Sequence, residues 1–227
     1  EPWWAGFPHM DICRIICNDI LHGLHKAFKD HTWTWVVNMI GKNEVDQRFR
    51  RIPKTHGYRS FPGGISKISQ WSIKDARSIE RYALAAAMGA LPDRAIRALR
   101  AELDYIYSAS WSRISETDLT TALDDNNDIF HANKNIFIEP GGGRVGKGGV
   151  LMTHFRIPKL HARHHFPQNI RDIGALLNCS AEITERYHIE IVKLAYLASN
   201  RKDVAIQLIH WLNRQEKVYQ FDAYLAW

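Results

Sequence analysis

The chain has 227 residues, 45 % hydrophobic and 24 % charged, a balance that excludes wholesale disorder and can bury one large core or a core with an inserted module. No stretch approaches eighteen uncharged apolar residues, so no transmembrane helix is expected, and three cysteines (Cys13, Cys17, Cys179) cannot build a disulfide framework, which points to a reducing, intracellular setting. The net charge of +6 is uneven: +8 over 41–100 and +6 over 140–171 bracket −6 over 101–139.

Basic blocks of this kind favour polyanions, through phosphate contacts and counterion release. The chain opens Glu1-Pro2-Trp3-Trp4, without an initiator Met or a signal segment, and is expected to be a piece of a longer protein. Residues 9–18 read as an extended apolar segment, followed by Asp19 and a helix expected over 20–40, with Gly41 as its C-terminal cap. Residues 42–64, rich in Arg, Gly and Pro, are expected to form a loop. Ile79, Tyr82, Ala83 and Ala86 at helical spacing predict a helix from Ser72 to Met88, closed by Gly89. Pro92 suits the first turn of a helix reaching Ala109, which sets Arg94, Arg97 and Arg100 on one stripe. A third helix, 117–135, has Ser115 or Thr117 as its cap. A glycine-rich loop over 141–149 leads to an expected strand, 150–157, bounded by Pro158. Ser180 can cap a helix running to Ala198, and a last helix is expected from Val204 to Tyr219. The fold class so read is mostly α with a few strands.

Several side-chain patterns could carry chemistry. Residues 141–147 satisfy the glycine–lysine spacing of a phosphate-cradling loop. Yet Gly148 stands where a magnesium-holding Ser or Thr belongs, and a strand is expected where that loop needs a helix. A flexible basic hairpin carrying Arg144 and Lys147 is the better reading. Cys13, Cys17, His22 and His25 are legitimate zinc ligands at an unusual spacing; packing as small hydrophobes is preferred for the cysteines, and zinc is not expected. His154, His161, His164 and His165, beside Arg156, Lys159 and Arg163, read as a basic face near phosphate in preference to a metal cluster. Glu182, Glu185 and His188 lie three apart on one helix face, a spacing used by carboxylate metal helices and also by ordinary solvated stripes. Asp19 sits where a hard-cation ligand or a helix N-cap would.

The block Asn18-Asp19-Ile20-Leu21-His22-Gly23-Leu24-His25-Lys26-Ala27-Phe28-Lys29-Asp30-His31 closely resembles one in fungal Plavaka-type transposases, relatives of the CACTA-like and Kyakuja–Dileera–Zisupton elements. The resemblance continues in order through Arg48-Phe49, Gly57-Tyr58-Arg59-Ser60-Phe61, Gly64-Ile65-Ser66-Lys67, residues 97–105, Ile157-Pro158-Lys159-Leu160, residues 180–189 and residues 211–217. It implies the C-terminal part of an RNase H-like α/β transposase core interrupted by a helical insertion. Residues 1–44 would be partial core, 45–150 the insertion, and 151–227 the return to the core.

Such transposases use three acidic residues to hold two Mg²⁺ or Mn²⁺ ions for DNA cleavage and strand transfer. By resemblance Asp19 matches the second acid and Glu185 the third, with Glu182 as the alternative; His22 and His188 are expected to support them. Asp19 and Glu185 are then expected to lie within roughly 10 Å of each other, around ions about 3.5–4 Å apart. Asp11 is too close to Asp19 to be the first acid, so the site is expected to be incomplete and the fragment inactive alone. The loop carrying Arg48, Arg50, Arg51, Lys54 and Arg59, and the stripe Arg94, Arg97 and Arg100, are expected to contact DNA phosphate in preference to bases. Arg144, Lys147, Lys159 and Arg163 join that set. The competing reading pairs the stripe with Asp124, Asp125 and Asp128. The partners implied are element-end and target DNA and further transposase subunits, in the nucleus and away from membranes. Two alternatives are a non-catalytic nucleic-acid-binding remnant, using aromatics such as Tyr58 and Trp71, and a zinc-stabilised interaction module.

Overall fold

The computed structural model describes every residue except Glu1, Trp3, His9, Met10 and Gln70. The expected extended segment 9–18 therefore begins outside the described residues. Within it, Asp11 accepts from the Cys13 amide at 3.0 Å and starts a single helical turn, α1 (Ile12–Ile15), in place of extended backbone.

The helix expected over 20–40 is present as one continuous run, α2 (20–40). Ile20, Leu24 and Phe28, four residues apart, put one apolar stripe into the core. Two π-helical stretches, Leu21–Lys26 and Lys29–Trp33, interrupt its α-helical winding and bring Trp33, Trp35 and Val36 into the same interior. Gly41, at φ +93°, ends the helix and turns the chain straight into α3 (Lys42–Arg51).

That helix replaces the first part of the loop expected over 42–64. Its cause is visible in the residues: Val45 and Phe49, four apart, are buried, and the arginines take the other faces. Pro53 bars its continuation, and Ile52 is extended. The irregular stretch that follows is anchored on Asp46, whose carboxylate accepts from Ile65 N at 2.7 Å, Ser66 N at 2.9 Å and the Ser66 hydroxyl. Gly64 makes the approach possible, since a Cβ there would stand 2.4 Å from the Asp46 carboxyl carbon.

Ser72 caps α4 (Ile73–Ala87) in a reciprocal box with Asp75, and Pro92 precedes α5 (Asp93–Ala109). Ser115 and Asp118 repeat the box at the start of α6 (116–133), a helical run with a π-helical middle that packs along α5. After the glycine-rich loop comes α7 (158–173), opened by Pro158.

Two buried polar pairs tie these helices. His25 of α2 meets Glu80 of α4, with Nδ1 2.9 Å from each carboxylate oxygen. Glu102 of α5 pairs with Arg163 of α7, whose side chain is 2 % exposed, and the Tyr105 hydroxyl donates to the Arg163 carbonyl at 2.8 Å.

The expected strand over 150–157 is not formed. The sole β pairing among the described residues is an isolated antiparallel bridge between Val145 and Leu151. Beyond Leu151 the described residues offer no neighbouring strand; Arg144 Nε donates to the His154 carbonyl at 2.7 Å, and Phe155 packs on Trp35. The glycine loop is not a free hairpin either. A Cβ on Gly143 would fall 1.8 Å from the Trp35 carbonyl oxygen, and one on Gly142 2.4 Å from that of Phe137. These glycines are contact points of the core.

Residues 1–180 form one compact unit and 181–227 a second. The second contains the helix expected to Ala198, present as α8 (182–197), and the helix expected from Val204, present as α9 (Val204–Ala226) and continuing past Tyr219. Ala181, and not Ser180, occupies the cap position of α8.

Candidate carboxylate sites and nucleic-acid interface

Asp19 is the N-cap of α2. Its Oδ1 accepts from Leu21 N and its Oδ2 from His22 N, each at 3.0 Å, while its own carbonyl accepts from Gly23 N at 2.8 Å. The His22 ring closes back on Oδ2 through Nδ1 at 2.5 Å. The carboxylate is 22 % exposed and the imidazole 41 %, so both reach solvent. Of the two readings of Asp19, the capping role is what the geometry displays, with the His22 ring hydrogen-bonded to the same carboxylate.

Glu182, Glu185 and His188 belong to the second unit. Glu182 lies half-buried in the first turn of α8, and Glu185 and His188 are exposed. Glu182, Arg186 and Glu190 line one shallow groove with Ile183 and Tyr187.

The four zinc-ligand candidates go to separate destinations. Cys13 is exposed, His22 serves Asp19, and His25 is buried against Glu80. Cys17 meets Cys179, whose thiol is pushed up to about 11 by burial and by that hydrogen bond. Among the described residues no three His, Cys, Asp or Glu side chains converge as metal ligands.

The expected phosphate contacts divide by environment. Arg163 is a correction: it lies in the core against Glu102 and over the Phe130 ring, 5.0 Å from its centroid, and cannot face DNA in this fold. Arg144 is half-buried between Trp35 and Phe155, 5.2 and 5.5 Å from their centroids, and burial lowers its pKa. Arg48 donates to the Ala86 and Met88 carbonyls at the end of α4 and pairs with Glu44. Arg59 pairs with Asp75. In the stripe, Arg94 pairs with Glu139 at 2.9 Å and Arg100 with Asp104 at 3.4 Å in place of the acidic block at 124–128, and both side chains remain exposed, at 46 % and 71 %.

The exposed cations Arg51, Lys54, Arg97 and Lys147 form no ion pair among the described residues, and Arg50 makes a 3.4 Å contact to the Gly63 carbonyl with its charge near Asp46. Lys159 is half-buried beside the exposed His161, His164 and His165. His161 and His165 face each other with Nε2 atoms 3.3 Å apart, and His164 stacks on His131 at 5.3 Å. Burial and the adjacent Lys134 push His131 down to about 4. Tyr58 is likewise exposed, its ring covered by Arg81 at 4.1 Å.

Sequence reasoning passes over Lys29, Lys42, Trp33 and Asn38, which line a cavity between α2 and α3 together with Trp71. Of these five, Trp71 alone is a candidate on sequence. The signal is present as Lys29, Trp33 and Val37 at four-residue spacing, but a Trp at such spacing reads first as core.

The family model of the Plavaka transposase matches residues 1–36, the stretch that holds Asp19 and His22, and supports a transposase-family relation. No curated protein and no solved structure matches the chain. Among the described residues no helix is long and apolar enough to cross a membrane.

Proposed function

We propose that this chain is part of a DDE-type DNA transposase of the Plavaka kind, acting in metal-dependent DNA cleavage and strand transfer in the nucleus. The observation that carries the proposal is the family match over 1–36, centred on a solvent-reaching Asp19–His22 pair at the head of α2. In this reading residues 1–44 and 151–227 belong to an RNase H-like core and 45–150 to an insertion. Asp19 is one metal-holding acid, Glu185 another, and Glu182 the alternative to Glu185. Mg²⁺ or Mn²⁺ would activate the attacking oxygen and stabilise the departing one. His22 and His188 position the acids. No residue of this chain is assigned the role of first acid.

DNA is the partner, held through its phosphates by Arg50, Arg51, Lys54, Arg97 and Lys147. The reading includes self-association with further transposase subunits. The test has two parts. With residues 1–227, the slope of log binding constant against log salt should fall by about 0.9 for each phosphate that Arg51→Ala, Lys54→Ala or Arg97→Ala leaves unneutralised. An unchanged slope removes these cations from the interface. In a full-length transposase containing this segment, Asp19→Asn and Glu185→Gln should abolish magnesium-dependent nicking of element-end DNA with binding retained. Full nicking by Glu185→Gln would sink that assignment.

A second reading, a DNA-binding module without catalysis, is favoured by one observation: both oxygens of Asp19 already serve the helix start. Full nicking by the Asp19→Asn protein would select it.

A further inference from the structure

The cavity between α2, α3 and residues 65–71 encloses about 250 Å³, below the roughly 300–1,000 Å³ of pockets for drug-sized ligands. That size suits one planar ring system. Its walls are apolar, formed by Val37, Val45, Ile65 and Ile68, and its aromatic members are Trp33 and Trp71.

Two features distinguish it from a packing defect. Trp71 is half-buried, with its own Nε1 donating to the Ile68 carbonyl at 3.1 Å, so its ring is fixed in orientation while part of it reaches solvent. Lys29 Nζ stands 5.2 Å from the Trp71 ring centroid and pairs with Asp30 at 2.9 Å, whereas the exposed Lys42 on the opposite helix forms no ion pair among the described residues. The cavity also contains one carboxylate, Asp46. Its oxygens are taken up by Ile65 and Ser66, so it does not compete for the lysines.

An aromatic face and an unpaired cation at one small, largely apolar cavity match the two parts of a single nucleotide, its base and its phosphate. We infer that this cavity receives one unstacked nucleotide of a DNA strand. The base stacks on Trp71, taking the place of Lys29 over the ring, and the flanking phosphate lies against Lys42. A base inside a duplex cannot reach such a site without leaving its stack, so the site selects single-stranded or distorted DNA. This inference rests on the DNA-binding reading proposed above and adds strand form to it.

The experiment uses residues 1–227 with a fluorescein-labelled oligothymidine strand and a blunt duplex of equal length, in one buffer of fixed salt. Trp71→Ala should weaken single-strand binding by roughly 5- to 150-fold, the range of one base–aromatic stack, and leave duplex affinity within about twofold. Trp71→Phe should keep single-strand affinity within a few-fold, and Lys42→Gln should weaken it. If Trp71→Ala melts early, Trp71→Phe and Lys42→Gln carry the decision, and wild-type single-strand affinity for Lys42→Gln then overturns the site. Equal weakening for strand and duplex in a folded Trp71→Ala protein also overturns it. Duplex binding that disappears in Arg51→Ala and Lys54→Ala, alongside single-strand binding indifferent to Trp71 and Lys42, rejects the cavity and keeps the broader reading. Binding of neither form rejects both.

Discussion

The two units of the chain handle apolar surface in opposite ways. In residues 1–180, Phe28, Phe49, Leu99, Tyr105, Phe130, Phe137 and Phe166 are buried, and even the charged Arg163 and Glu102 are enclosed with each other. In residues 181–227, Ala195 is the one buried residue among those described, and Ile206, Phe221, Tyr224 and Trp227 are all more than half exposed. Composition alone does not separate the two; what separates them is whether each helix has a second layer to bury its stripe against. The first unit holds its fold by packing. The second is two helices that touch each other and leave most of their apolar side chains exposed.

The largest expected effect attacks the enclosed pair. Glu102→Ala strands the Arg163 guanidinium in the interior and should cost about 3–5 kcal/mol in urea unfolding, whereas a joint Glu102→Leu, Arg163→Met replacement should recover most of that loss. Persistence of wild-type stability in Glu102→Ala would show that solvent reaches Arg163. Next in size is Gly143→Ala, whose methyl group would meet the Trp35 carbonyl; a loss of about 1–3 kcal/mol is expected by the same measurement.

A third prediction concerns acid. His131 is held down to about 4 by burial and Lys134, against 6.5 when free, so the unfolded chain binds a proton that the folded chain refuses. Its contribution is therefore intact above about pH 6.5 and is lost as pH falls from there towards 4. His131→Gln should flatten this limb of the stability–pH curve. A separate limb lies lower: burial raises the Asp46 carboxyl, but the hydrogen bonds from Ser66 and Ile65 and the nearby Arg50 outweigh it and hold it below its ordinary range. That stabilisation is present above about pH 4 and disappears as pH drops through the lowered value, so Asp46→Asn should lower stability above about pH 4 and flatten this lower limb.

The smallest effects belong to the second unit, where Ile206→Ala or Phe221→Ala should change stability by less than about 0.5 kcal/mol. Amide hydrogen exchange makes the contrast direct: α5 should exchange at the slow, global limit and α9 far faster. Equal protection in the two would mean that the second unit is covered in solution.

How far the fold was legible follows the range of the forces involved. The start and end of α2 were readable because Asp19 and Gly41 act on their own backbone, and Ser72, Pro92 and Ser115 marked helix starts for the same reason. The segment 42–51 misled because its arginines and the glycines and prolines that follow outweighed the Val45–Phe49 spacing. Residues 150–157 have the β-branched and aromatic content of a strand, but a strand also needs a neighbour, and none is formed there. For the site, charge density found the basic segments but could not tell Arg163, enclosed by Glu102 across 61 residues of sequence, from the exposed Lys147. The cavity between α2 and α3 was illegible because its lining joins residues 29–46 to 65–71.

The cap at Asp19 sets two demands on a single carboxylate. An ion drawn to it must compete with the Leu21 and His22 amides, whose capping is worth about 0.5–2 kcal/mol, and so forfeits roughly 2- to 30-fold in affinity unless the amides remain bonded. Reciprocity then requires that loading the carboxylate loosen the first turn of α2 by the same factor. The turn ahead of Gly23 would act as a spring whose tension reports occupancy, legible as faster exchange of the Leu21 and His22 amide protons when divalent ion is added. Because asparagine caps a helix about as well as aspartate, Asp19→Asn removes the charge and keeps the spring.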